Sequence, residues 1–194
     1  KRLRPDLVVR LPGGKTIVTG YPIRAGIRSM SRTAAREQLG LHPADPVLLV
    51  FGGSQGARRI NRAVEQALPG LLGWRSADGA PITILHATGE PDHARLAGVR
   101  DGLPAADRDR YLVEPFLGGD AMAAALNAAN LAVSRAGAAT LGEFPACGLP
   151  AILVPLPIAS GHQAHNARVL ADAGAATIVS DSELDGERLA SEVA

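Results

Sequence analysis

The stretch "FGGSQGA", Phe51 to Ala57, follows the apolar run "PVLLV" and precedes "RRINRAVEQAL", so its glycines sit where a buried strand gives way to a helix. Gly52 and Gly53 allow backbone angles that a β-carbon forbids, Ser54 offers a hydroxyl, and Gly56 lets the helix begin close to a ligand. The unpaired amides and positive dipole end of such a helix favour phosphate. The run lacks the lysine of a Walker loop and the spacing of the dinucleotide fingerprint. Alone it says anion, or merely a tight turn.

A second such turn is "SRAGAATLGE", Ser134 to Glu143. Gly137 permits close approach, Thr140 is placed to cap, and Glu143 lies one helical turn in. A carboxylate there can accept two hydrogen bonds from a vicinal diol such as a ribose. It can equally serve its own helix dipole or backbone. Pro145, early in that helix, is expected to kink its first turns. The third turn is "GHQAHNARVL", Gly161 to Leu170, where Gln163 and Asn166 share a face at a helix start. Their amides suit sugar hydroxyls, or plain N-terminal capping. His162 and His165 have no third ligand nearby, which argues against a metal. The acidic pair of "DRD", Asp107 and Asp109, precedes its strand in a charged turn and reads as surface loop.

The elements that must hold these turns follow from periodicity. From Val47 onward, apolar strands ("VLLVF", "ITILHA", "RYLVEPF", "NLAVSR", "AILVPL", "ATIVS") alternate with helical stretches near 57–68, 90–98, 119–129, 139–147, 163–173 and 183–193. Strict alternation predicts an α/β fold, a Rossmann-like parallel sheet with helices on both faces. Such sheets bind ligands beyond the carboxyl ends of their strands, where strand order reverses. Every turn after a strand is thus a candidate site. A short helix is expected over 31–39, capped by Ser31 and stopped by Gly40, whereas Pro22 and Gly26 argue against one in "GYPIRAG". Residues 1–30 read as a basic interdomain linker and domain edge, and residues 31–194 as the Rossmann-like domain.

Composition is consistent with this. The chain has 194 residues, 46% of them hydrophobic, enough for a core that must be aliphatic, since only three Phe, two Tyr and one Trp are present. Cys147 is the only cysteine, which excludes an internal disulfide and suits a reducing cytoplasm. The longest apolar run, "GLPAILVPLPIA", is broken by Pro150, Pro155 and Pro157 and cannot span a bilayer. Residues 1–36 carry nine Lys or Arg against Asp6 alone, a basic end able to face phosphates or an anionic membrane surface, or to be a solvated arm. The abrupt start "KRLRPDLVV", without Met or cap, suggests an excised fragment.

Taken together, "GGSQGA", "SRAGAATLGE", "GLPAILVPLP…HQAHNA…GAA" and "VTGYPIR" closely resemble, in order and spacing, the C-terminal, nucleotide-sugar-binding half of the MurG-like family 28 glycosyltransferases, which have the two-domain GT-B architecture. The resemblance runs from about Ile17 to Ala176. It implies an inverting transfer of N-acetylglucosamine from its UDP donor to undecaprenyl-diphosphate-linked N-acetylmuramyl pentapeptide, by a peripheral enzyme on the inner face of the bacterial membrane. It further implies that Ser54, with Gly52, Gly53 and Gly56, holds diphosphate; that Glu143 holds the ribose hydroxyls; that Gln163 with Asn166, and His162 beside them, holds the donor sugar. Leu117 would meet uracil through its backbone, Arg24 would complete that end, and Ala138, Ala139, Thr140, Leu141 and Gly142 would wrap diphosphate and ribose. No cofactor, metal or nucleic acid is implied, because helix amides beside Ser54 and Ala138 can stabilise a leaving diphosphate without a cation. The family's N-terminal acceptor domain, with its proposed general base, has no counterpart in this sequence, so no catalytic base is assigned. Tyr21, Gly161 and Pro145 depart from the family pattern and leave room for another UDP-sugar enzyme of GT-B type, an epimerase included, or for a non-catalytic nucleotide-sugar-binding module.

Overall fold

The computed structural model describes residues 21–53, 55–157 and 161–194. Lys1 to Gly20 and Ser54 lie outside the described residues. Six strands, β1 (Val47–Phe51), β2 (Thr83–Ala87), β3 (Tyr111–Glu114), β4 (Leu131–Ser134), β5 (Ala151–Leu153) and β6 (Ala176–Ile178), form one parallel sheet in the order β3-β2-β1-β4-β5-β6. Their near-continuous apolar runs are what a sheet covered on both faces requires. In β1, Val47 and Leu49 face one layer while Leu48 and Val50 face the other, and all four are buried.

On the first face lie α1 (Ala25–Ser29), α2 (Arg32–Gln38), α6 (Gly119–Ala128), α7 (Thr140–Cys147) and α8 (His162–Asp172). On the second lie α3 (Arg58–Gly73), α4 (Glu90–Asp101) and α9 (Gly186–Val193), while the short α5 (Ala105–Arg108) leads into β3. In α3, Ile60, Val64, Ala67, Leu68, Leu71 and Leu72 recur at three- and four-residue spacing and bury one stripe against the sheet. Complete burial of a leucine such as Leu49 or Leu71 contributes roughly 1.5–3 kcal/mol each, and it is this sum that holds the layers.

The expected cap is present: Ser31 accepts from the Ala34 amide at 3.2 Å. Contrary to expectation, the helix α1 begins within "GYPIRAG", at Ala25. Pro22 lies outside it, and Gly26 packs toward Ala123 while Ile27 is only 1% exposed. Burial of that isoleucine outweighs the roughly 1 kcal/mol helix penalty of a glycine. The last helix starts at Gly186, later than its periodicity suggested, because Asp185 accepts from the Arg188 amide at 2.8 Å and sets the start. Among the described residues no helix is long and apolar enough to cross a membrane.

Strand order reverses between β1 and β4: from β1 the chain proceeds outward through β2 and β3, then returns to β4 on the other side. The helices leaving β1 and β4 therefore diverge to opposite faces, and a crevice opens beyond the carboxyl ends of those two strands. Phe51 pairs with Ser134 at its rim.

Candidate nucleotide-sugar site

A cavity of about 330 Å³ occupies this crevice. Gly52 and Gly53 line it from the β1 turn, and Arg135, Gly137, Ala139, Thr140 and Glu143 from the β4 turn and α7. Phe116, Leu117 and Met122 close the β3 side, Arg24 reaches in from the segment before α1, and Gln163 from the start of α8. All three turns singled out in the sequence thus meet in one place.

Glu143 is the buried charge of the site, 6% exposed. Burial raises its pKa, and the Arg24 guanidinium opposes that shift. Arg24 Nη1 stands 3.1 Å from Oε1 and 3.2 Å from Oε2, across 119 residues of sequence. The approach depends on Gly142: a Cβ there would lie 2.9 Å from Ile23 Cγ2 and 3.1 Å from Tyr21 Cδ1. The missing side chain lets residues 21–23 cross α7 closely enough to deliver Arg24. The carboxylate is held, still faces the cavity, and keeps the acceptor capacity that a diol needs.

Thr140 does not cap as expected. It is the first residue of α7, and its hydroxyl donates to the Gly137 carbonyl at 2.6 Å. The amides of Thr140, Leu141 and Gly142 are also engaged, donating to Gly137, Ala138 and Ala139. Those of Gly137, Ala138 and Ala139 have no partner among the described residues. The free donors of this turn therefore sit just before the helix. The space where Gly137 would carry a Cβ is open. In the β1 turn the Gly56 amide donates to Gly53, while those of Gly52 and Gly53 have no partner among the described residues. Ser54 lies outside the described residues.

On the β3 side of the cavity, the backbone of Leu117 has no hydrogen-bond partner among the described residues, and its side chain is buried. Gln163 lines the cavity, and its Oε1 accepts from the Leu156 amide at 2.9 Å, while its NH2 group has no partner among the described residues. Asn166 is turned elsewhere: its Nδ2 donates to the Ala136 carbonyl at 3.0 Å and braces the β4 turn. Ala138 is exposed, Leu141 packs into the core, and neither lines the cavity. Pro145 is accommodated inside α7, which runs on to Cys147. Asp107 pairs with Arg110 at 2.6 Å at the opposite end of the sheet.

Sequence reasoning passed over Phe51, Phe116, Met122 and Arg135. Phe116 is 59% exposed at the cavity rim, an unusual place for a phenylalanine. Arg135 is tied by Nη1 to Asp181 and to the Val154 carbonyl. Its position immediately after β4 was the available signal.

Comparison with known proteins agrees with the geometry. Residues 47–194 match the model described as "Glycosyltransferase family 28 C-terminal domain". A "UDP-N-acetylglucosamine--N-acetylmuramyl-(pentapeptide) pyrophosphoryl-undecaprenol N-acetylglucosamine transferase" of Desulforamulus reducens is 41% identical over 175 residues, covering 89% of this chain and 45% of the relative. One of the same name from Syntrophotalea carbinolica is 44% identical over 180 residues, covering 91% and 45%. The crystal structure of Acinetobacter baumannii MurG superposes with a TM-score of 0.66 at 30% identity, covering 89% of this chain and 48% of that one. The glycosyltransferase VinC shares the fold, with a TM-score of 0.56 at 20% identity over 81% of this chain and 34% of that one. The chain spans about half the length of the curated relatives it matches. With the parallel sheet, the switch-point cavity and a family match covering most of its length, the chain belongs to the glycosyltransferase family 28 C-terminal domain, the Rossmann-like C-terminal half of a GT-B glycosyltransferase.

Proposed function

We propose that this chain is the donor-binding half of a hexosyltransferase that takes N-acetylglucosamine from UDP-N-acetylglucosamine. The acceptor is undecaprenyl-diphosphate-linked N-acetylmuramyl pentapeptide, as the names of its relatives describe for them. The observation that carries this reading is the convergence, in one cavity, of a buried carboxylate, two turns whose amides have no partner among the described residues, and a glutamine amide held by the Leu156 backbone. Glu143 accepts from the ribose hydroxyls. The amides of Gly52, Gly53 and Gly137 to Ala139, with Ser54, face the diphosphate, and the Leu117 backbone reads the uracil edge. Gln163 donates to the hexose, while Asn166 holds the β4 turn in place.

In the transfer itself, an acceptor hydroxyl attacks the anomeric carbon from the face opposite the diphosphate. The bond from that carbon to the diphosphate oxygen breaks, and UDP leaves with the electron pair. The acceptor proton passes to a base on the half of the enzyme that this chain does not include. Fixed amides stabilise the charge growing on the leaving oxygen and need no reorganisation at that moment. The whole enzyme works at the inner face of the bacterial membrane, where its lipid-linked acceptor resides.

Titration calorimetry of the chain with UDP and UDP-N-acetylglucosamine tests the reading. Loss of a charged acceptor costs about 1.5–3 kcal/mol and of a neutral bond about 0.5–1.5. Glu143→Ala should therefore weaken both ligands by more than about tenfold, and Gln163→Ala only the sugar nucleotide. Absence of UDP binding, or intact binding in Glu143→Ala, would overturn it.

A further inference from the structure

Behind the β1 turn, on the sheet face away from the cavity's α7 wall, lies a chain of buried polar groups that the reaction does not touch. Asn61, His86 and Tyr111 are each fully buried and Thr88 is 1% exposed. Asn61 Nδ2 donates to the Thr88 carbonyl and to Asp92 Oδ2, both at 2.8 Å. Its Oδ1 lies 3.0 Å from His86 Nε2, and His86 Nδ1 lies 3.0 Å from the Tyr111 hydroxyl.

The chemistry of the partners orients every member. A carbonyl and a carboxylate on one side of Asn61 can only accept, so the NH2 group must face them and Oδ1 must face His86. Nε2 of His86 then carries the proton, and Nδ1 accepts from the Tyr111 hydroxyl. Burial keeps the imidazole neutral, pushing its pKa down to about 3.

What the chain grips is the backbone against which the glycine turn rests. Asn61 stands in the first turns of α3, its amide bonded to the Ala57 carbonyl at the end of "FGGSQGA". Thr88 presents the facing surface: a Cβ on Gly56 would lie 2.2 Å from the Thr88 carbonyl oxygen. A Cβ on Gly89 would lie 2.5 Å from Gly56 Cα. The same loop is tied to the base side, since the Thr88 amide donates to Glu114 and the Gly89 amide to Pro115. One asparagine amide therefore joins the helix that follows the turn to the carbonyl that abuts it.

We propose that Asn61 and His86 are positioning residues for the diphosphate: through the Thr88 carbonyl they hold the Gly52–Gly56 turn at the height at which its amides meet the phosphates. The inference rests on the reading of that turn as the diphosphate holder. His86 supplies the hydrogen bond that keeps Asn61 from rotating, and Asn61 transmits it to both sides of the turn. Neither residue touches the ligand.

The test separates diphosphate from nucleoside. Amide NMR titrations of the 194-residue chain with UDP and with uridine give both affinities and the shifts of Gly52, Gly53 and Gly56. His86→Leu removes the donor to Asn61, and His86→Gln places an amide N–H near the same point. The expected result is a loss of about tenfold or more in UDP affinity for His86→Leu, the size of one hydrogen bond. Uridine affinity should stay unchanged, the glycine amides should shift before ligand is added, and UDP binding should recover in His86→Gln. Should His86→Leu fail to fold, Asn61→Ser asks the same question by withdrawing the donor from the Thr88 carbonyl. UDP affinity at the wild-type level, or UDP and uridine falling by the same factor, would overturn the positioning role. A wild-type chain that binds UDP no better than uridine would instead overturn the donor-site reading, and this inference with it.

Discussion

Acid should destabilise this domain through His86, by an amount its environment sets. The imidazole is fully buried, neutral, and held by Asn61 and Tyr111, with a pKa lowered from 6.5 to about 3 by desolvation. Nearby charges are Asp92, which favours its protonation, and Arg95, which opposes it; Glu65 and Arg58 belong to the same cluster. Because the folded value lies below the unfolded one, the unfolded chain takes the proton first. The stabilisation is complete above about pH 6.5 and drains away toward pH 3, at about 1.4 kcal/mol per pH unit. Between pH 6.5 and 5 the loss is therefore about 2 kcal/mol, or about a 1 M lower urea midpoint for a denaturant slope near 2 kcal/mol/M. Urea unfolding at pH 7, 6 and 5 of the wild type and of His86→Gln measures it. Asp92 is present in both proteins, so its acid-side contribution largely cancels in the difference. The stability gap between the two should narrow by about 2 kcal/mol from pH 7 to 5. Parallel profiles would refute the neutral-histidine network.

Three further outcomes are expected. Gly56→Ala forces a β-carbon into a turn with φ of +72° and against the Thr88 carbonyl; it should lower stability by at least about 1–2 kcal/mol, seen as a lower thermal midpoint, and weaken UDP. Arg24→Gln removes the cation that holds down the pKa of Glu143, so UDP affinity, which needs the carboxylate, should fail at a higher pH in the variant than in the wild type; superimposable affinity–pH curves would exclude that role. EDTA should leave UDP affinity alone, because amides and helix ends supply the positive field; a loss of about tenfold on chelation would contradict this.

Much of the site was legible because its chemistry is local. A glycine pair between an apolar strand and a helix, or a glutamate one turn into a helix, is visible without knowing the fold, since backbone freedom and helix dipoles act over a few residues. Thr140 and Asn166 were read less well. Their side chains can serve a ligand or the backbone, and only the positions of Gly137 and Ala136 assign them to the backbone. Gly142 was read as wrapping substrate, but its immediate neighbours are Tyr21 and Ile23, which lie far away in sequence.

The sequence alone determined the alternation of strands and helices, the parallel sheet and the three turns, because hydrophobic period and turn chemistry are properties of short segments. Tertiary structure alone decided that β4 lies beside β1, which brings the turn at Gly52 to the turn at Gly137. It also decided the pairing of Arg24 with Glu143 and the link from His86 through Asn61 to Thr88. Strand order depends on which helices cover which face of the sheet, and a buried polar pair depends on which groups are left facing each other once water is excluded; both are set by packing over the whole domain.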